Sequence, residues 1–129
     1  MGGSFIRKTA LSKFALEDKF ITKTASYTVT LNDLFKHFTN QGATGAVVLT
    51  LPDLSSLGNS WDGVWIEATN TEAPQSLAIT AASGQLMVQG TGTASTTMTT
   101  TTIGSWITLK WHSASGNWLC RNSGNWTAS

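Results

Sequence analysis

At 129 residues the chain has the length of one domain, long enough to bury roughly two-thirds of its unfolded surface. Charged residues are only 12% of it, about half the usual share, and Thr, Ser and Gly fill the space. The single cysteine, Cys120, excludes an intrachain disulfide and a cysteine-built metal site, and no apolar run is long enough to cross a membrane. The net charge of +1 conceals an asymmetry: residues 1–24 carry five basic side chains against two acidic ones, and the remainder carries three against five. A basic head on a slightly acidic body implies that the head has its own partner.

Residues 1–24 read as an arm. Phe5, Ile6, Leu11, Phe14, Leu16, Phe20 and Ile21 are interleaved with Arg7, Lys8, Lys13, Lys19 and Lys23, in a spacing that fits neither a clean helix nor a clean strand. One or two helical turns over residues 12–19, capped by Ser12, are compatible with the i,i+4 pairs there. A free tail seldom carries three Phe residues, so the segment either packs back on its own domain or lies on a neighbour. It lacks the apolar core of a secretory signal, so assembly in a cytoplasm is the expectation.

From residue 25 to 129 the pattern is that of short strands. Tyr27-Thr28-Val29-Thr30-Leu31 alternates with period two, and residues 32–38 predict a short helical turn capped by Asn32. Residues 40–45 form a loop, and Ala46-Val47-Val48-Leu49-Thr50-Leu51 is an apolar strand stopped by Pro52. Residues 63–69 give the next strand. Residues 77–80 and 86–89 read as a hairpin turning at Ala82-Ser83-Gly84. The Thr-rich run over residues 93–102 is a polar strand or a long loop at the rim. Residues 105–111 and 118–122 close the sheet through Ala114-Ser115-Gly116. The tetrapeptide Ser-Gly-Asn-Trp occurs twice, ending at Trp118 and at Trp126. About eight short strands and little helix predict an all-β fold, a small β-sandwich or jelly roll preceded by the extended arm.

Six tryptophans are a heavy load for this length. Trp65, Trp106 and Trp118 fall in strands with apolar neighbours and are assigned to the core. Trp61 and Trp126 lie in turn-like sequence beside Asn and Asp, and are the candidates for glycan contact. His37 and His112 stand far apart in sequence without His or Cys neighbours, which argues against a metal centre or a catalytic triad. Asp53 and Asp62 form no evident carboxylate pair, and Gly42-Ala43-Thr44-Gly45 lacks the ending of a phosphate loop. Cys120, beside Trp118 and Leu119, is expected to be a buried, inert thiol. No enzyme activity, cofactor or metal is expected. The arm's charges alternate with Phe and Leu, which favours protein over nucleic acid as its partner.

The order Tyr27-Thr28-Val29-Thr30-Leu31, Ala43-Thr44-Gly45-Ala46-Val47-Val48-Leu49-Thr50-Leu51-Pro52, the Gly63–Glu67 strand, Gly104-Ser105-Trp106-Ile107-Thr108-Leu109, and a closing Gly124-Asn125-Trp126 resembles the small β-sandwich proteins of tailed-bacteriophage virions. These are capsid cement or decoration proteins, head fibres and parts of tail fibres. The resemblance spans residues 26–126 and departs at Leu34-Phe35-Lys36-His37-Phe38, where a turn of small residues is expected. It implies a homotrimer on the outer capsid surface that contacts the major capsid protein and stabilises the shell, with no nucleic acid and no membrane as partner. Phe5, Ile6, Arg7, Lys8, Lys13, Phe14 and Phe20 would then be the capsid-binding residues. The alternative is a carbohydrate-binding module of a phage fibre that uses Trp61 or Trp126.

Overall fold

The computed structural model describes residues 20–129. The helical turns expected over residues 12–19 lie outside that range. Twelve short strands build the described part: β1 (Phe20–Thr22), β2 (Tyr27–Thr28), β3 (His37–Thr39), β4 (Val47–Thr50), β5 (Trp65–Thr69), β6 (Leu77–Thr80), β7 (Met87–Gln89), β8 (Ala94–Ser95), β9 (Thr97–Thr100), β10 (Trp106–His112), β11 (Asn117–Ser123) and β12 (Thr127–Ala128). They form a seven-stranded sheet, ordered β1-β3-β5-β10-β11-β7-β8, and a five-stranded sheet, ordered β12-β9-β6-β4-β2. The fold is all-β and sandwich-like, as the residue pattern predicts.

The connectivity is less ordinary than the pattern suggested. From β1 to β6 the chain changes sheet at every strand. The odd strands β1, β3 and β5 pair in parallel in one sheet, and the even strands β2, β4 and β6 pair in parallel in the other. Parallel neighbours need a crossover, and each crossover here passes through the opposite sheet. The first half is therefore a coil of three turns. The second half closes it with antiparallel pairs: β10 lies between β5 and β11, and β9 lies between β6 and β12.

Strict alternation gives the core. Val47, Leu49 and Leu51 point inward, as do Ile66 and Ala68 of β5, Leu77 and Ile79 of β6, Ile107, Leu109 and Trp111 of β10, and Trp118 and Cys120 of β11. Trp111 and Trp118 face each other across the β10–β11 pair with ring centroids 5.4 Å apart. Pro52 follows directly on this buried run, where it removes a ladder donor and ends the strand.

Three expectations are corrected. The helical turn over residues 32–38 is replaced by a single 3-10 turn, Leu31–Asp33, followed by β3. Thr30, not Asn32, precedes that turn, and its amide and hydroxyl both donate to Asp33 Oδ2. Residues 77–80 and 86–89 are not a hairpin: β6 belongs to one sheet and β7 to the other, so Ala82-Ser83-Gly84 lies in an arch between them. The Thr run takes the strand form, one of the two expected of it, with Met98 and Thr100 of β9 buried. Finally, Trp106 is 42% exposed and Trp65 is half-buried, while Trp111 joins Trp118 in the core.

Candidate functional site

The alternation that fills the core also fixes what faces outward from the seven-stranded sheet. Strand β5 presents Trp65, Glu67 and Thr69, β10 presents Trp106, Thr108 and Lys110, and β11 presents Leu119 and Arg121. Register aligns these side chains in rows across the strands. One row runs Phe20, His37, Glu67, Thr108, Arg121. The row on one side holds Trp65, Lys110, Leu119 and Val88. The row on the other side holds Thr39, Thr69, Trp106 and Ser123. Rows on one face lie two residues apart, about 7 Å, so Trp65 and Trp106 flank the Glu67 row from opposite sides.

Glu67 is the electrostatic centre of this face. Thr108 Oγ1 donates to Glu67 Oε2 at 2.9 Å, and His37 Nδ1 lies 3.5 Å from Glu67 Oε1. The other ring nitrogen of His37 is 2.6 Å from Thr69 Oγ1, and the Phe20 ring leans on the imidazole with centroids 5.2 Å apart. Burial pushes the His37 pKa down, and the nearby Glu67 carboxylate only partly restores it, so the imidazole is neutral at pH 7.

Between the tryptophans the surface sinks into a hollow of about 760 Å³, lined by both indoles, Glu67, Thr108, Lys110 and Arg121 and closed on one side by residues 88–90. A smaller hollow of about 330 Å³ adjoins it, and the two share Gln89, Gly90, Trp106, Cys120 and Arg121. Cys120 lines both from beneath, and burial pushes its thiol pKa up, which removes it as a nucleophile.

Trp106 is held in place from below. Its carbonyl accepts the indole N–H of Trp126 at 3.0 Å, and the same N–H reaches the carbonyl of Ser123. Trp126 is thus half-buried, packed against the core, with its donor committed. Trp61 closes the 3-10 turn Asn59–Trp61 and also packs against the core. The two residues proposed from sequence for glycan contact are thus both partly buried and packed against the core, and the more exposed indole is that of Trp106. Its signal was legible: in Trp106-Ile107-Thr108-Leu109-Lys110-Trp111 the apolar set that includes Ile107 and Leu109 has to be the inner one, which puts Trp106 outside.

Of the capsid-binding candidates, Phe5, Ile6, Arg7, Lys8, Lys13 and Phe14 lie outside the described residues. Phe20 is 57% exposed on the edge strand β1, so the segment read as an arm over residues 1–24 already joins the sheet by its last residues. The histidines are separate, His112 bonding Ser115 within its own turn. Asp53 is engaged by Ser55 and Gln85, and Asp62 by the amide of Ser113. Among the described residues no group of His, Cys, Asp or Glu is placed to hold a metal ion, and no helix is long and apolar enough to cross a membrane. Compared with known proteins, the chain matches no family model and no curated protein.

Proposed function

We propose that the chain is a structural protein of a tailed-bacteriophage virion: a homotrimeric cement or decoration protein that sits on the outer capsid surface and stabilises the shell. One observation carries this reading. The chain enters its charge-poor body at β1, the outermost strand of the larger sheet, with Phe20 57% exposed there. What precedes Phe20 is basic and bears Phe5, Ile6 and Phe14. A segment leaving from a sheet edge is free to reach a neighbouring subunit, and an edge strand is itself a template for pairing with another chain.

In this reading the apolar side chains of residues 1–19 anchor on the major capsid protein, and Arg7, Lys8 and Lys13 meet its acidic groups. Ordering such an arm costs conformational entropy, which burial of Phe5, Phe14 and their neighbours offsets. Three arms on one trimer multiply a weak grip by avidity. A surface poor in charge lets copies approach without repulsion. The role is non-catalytic and needs no cofactor.

The test compares the full chain with one lacking residues 1–19, a cut that spares β1. Light scattering should give a trimer for both. Only the full chain should co-sediment with heads of the phage that encodes it, and heads stripped of it should open at lower temperature. A monomeric full chain, or equal capsid occupancy by the truncated one, overturns the proposal.

A further inference from the structure

We propose that the groove lined by Trp106 is a binding site for an acidic saccharide, a sugar ring bearing a carboxylate or a phosphate. The site stands whether or not the chain belongs to a virion.

Three features of the groove point to this ligand. The first is the platform. Trp106 is 42% exposed, yet its backbone is fixed by the β10 ladder and by the Trp126 indole N–H on its carbonyl. A rigid, exposed indole offers a flat apolar surface at little entropic cost. The axial C–H groups of a pyranose present one apolar face of matching size.

The second is the surrounding chemistry. Arg121 borders both hollows and Thr108 lines the larger one, whereas the Gln89 amide is committed on the inner face, donating to Met98 Sδ and accepting from Asn122. A planar guanidinium beside an aromatic plate suits a sugar ring that carries an anionic substituent. The larger hollow, about 760 Å³, is within the range of small-molecule sites.

The third is the charge, which makes the saccharide acidic. Glu67 is the one carboxylate among the described residues that line the groove; Thr108 donates to one of its oxygens, and the neutral His37 ring lies 3.5 Å from the other. Lys110 and Arg121 line the same hollow, and among the described residues neither forms an ion pair. Two cations against one carboxylate leave this lining with a net positive charge. Arg121 can hold a carboxylate or phosphate through two parallel N–H bonds, with Lys110 as a second point charge.

The test titrates the full-length protein with sialyllactose and a galacturonate oligomer as acidic probes, chitotriose and cellotetraose as neutral ones, and an oligothymidylate, followed by calorimetry and tryptophan fluorescence. Saturable binding of an acidic saccharide, with a change in fluorescence, is expected. Arg121→Gln should weaken the acidic probe by about ten-fold or more while leaving any neutral binding unchanged. Trp106→Ala should abolish both. Leu31→Ala, an exposed change on the 3-10 turn, should alter neither, and circular dichroism should show all three variants folded. Absence of saturable binding by both acidic probes overturns the proposal. So does equal binding by Arg121→Gln, tighter binding of the oligothymidylate, or a self-association that protects Trp106.

Discussion

Asn40 and Asn70 hydrogen-bond to each other inside the protein, amide to amide at 3.0 Å, with neither side chain exposed to solvent. Each follows directly on a strand, β3 and β5 respectively, at the next step of the same parallel register. Asn40 Oδ1 also accepts the amide of Thr71. Asn70 Oδ1 accepts that of Glu72, and Asn70 Nδ2 donates to the carbonyl of Gln75. The pair therefore satisfies the backbone where the chain leaves one sheet for the other, at two successive turns of the coil. Removing either amide strands buried donors and acceptors on both loops. Asn40→Ala and Asn70→Ala should each cost about 2–3 kcal/mol, read as a shift of the denaturation midpoint. The double variant should lose less than the sum, because the second change removes groups already orphaned by the first.

The repeated Ser-Gly-Asn-Trp gives a sharper contrast. Its two glycines, Gly116 and Gly124, both have positive φ, at 68° and 95°. Around Gly116 there is open space, whereas a Cβ on Gly124 would come within 2.7 Å of the Ser105 Cα. Ser105 is buried, and its hydroxyl receives the amide of Asn125, so it has no room to retreat. Gly116→Ala should cost only the left-handed backbone penalty, about 1–2 kcal/mol. Gly124→Ala should cost more, about 3 kcal/mol, and should loosen Trp126 from beneath Trp106. Equal melting temperatures for the two variants would contradict the close approach at Ser105.

The Trp111–Trp118 pair is buried in the core, and neither indole N–H has a hydrogen-bond partner among the described residues. The rings contribute through area and shape. Trp118→Ala should therefore cost about 3–5 kcal/mol, the range for emptying an aromatic site. Trp118→Phe removes the orphaned donor along with part of the ring, so its cost should be well under half of that. Urea denaturation of both variants decides the point.

The local pattern carried much of the fold. Alternation located β4, β5, β10 and β11, Pro52 marked the end of a strand, and Gly116 marked a genuine hairpin turn. What stayed hidden was where each turn sends the chain. Ala82-Ser83-Gly84 has the composition of a hairpin turn, yet it spans the two sheets. A Ser-Gly turn bends a chain the same way in both settings, and only packing far away in sequence chooses between them. The same holds for β3, whose three residues are too few to show a period. For the candidate site, hydrophobicity alone placed Trp106 inside. The competing claim of Ile107, Leu109 and Trp111 on the inner face turns it out.

Phe35 is the only described residue other than glycine with positive φ, at 66°. It lies where the phage-like pattern expects a small residue. Its amide donates to the Trp65 carbonyl at 2.8 Å, and its half-exposed ring meets the Trp65 ring edge-on at 5.8 Å. The aromatic contact, about 0.5–1.5 kcal/mol, offsets a backbone penalty of about 1–2 kcal/mol. Phe35→Ala should lose the contact and keep the penalty. Phe35→Gly should lose both and come out near neutral. Glycine more stable than alanine at this position, in thermal melts, is the expected order, and the reverse would show that the strain is not real.

His37 supplies a pH dependence whose sign follows from its surroundings. Burial holds its folded pKa below 6.5, against the pull of Glu67. Above the unfolded value, both folded and unfolded chains carry a neutral imidazole, and the stability tied to His37 is fully present. As pH falls below about 6.5 the unfolded chain takes up a proton that the folded chain resists, so stability drops until the folded pKa is passed and then levels. His37→Gln keeps a polar partner for Thr69 and Glu67 but cannot titrate. Denaturant midpoints followed from about pH 8 to about pH 5 should fall more steeply for the native chain than for this variant. Parallel curves would mean that another group carries the acid sensitivity.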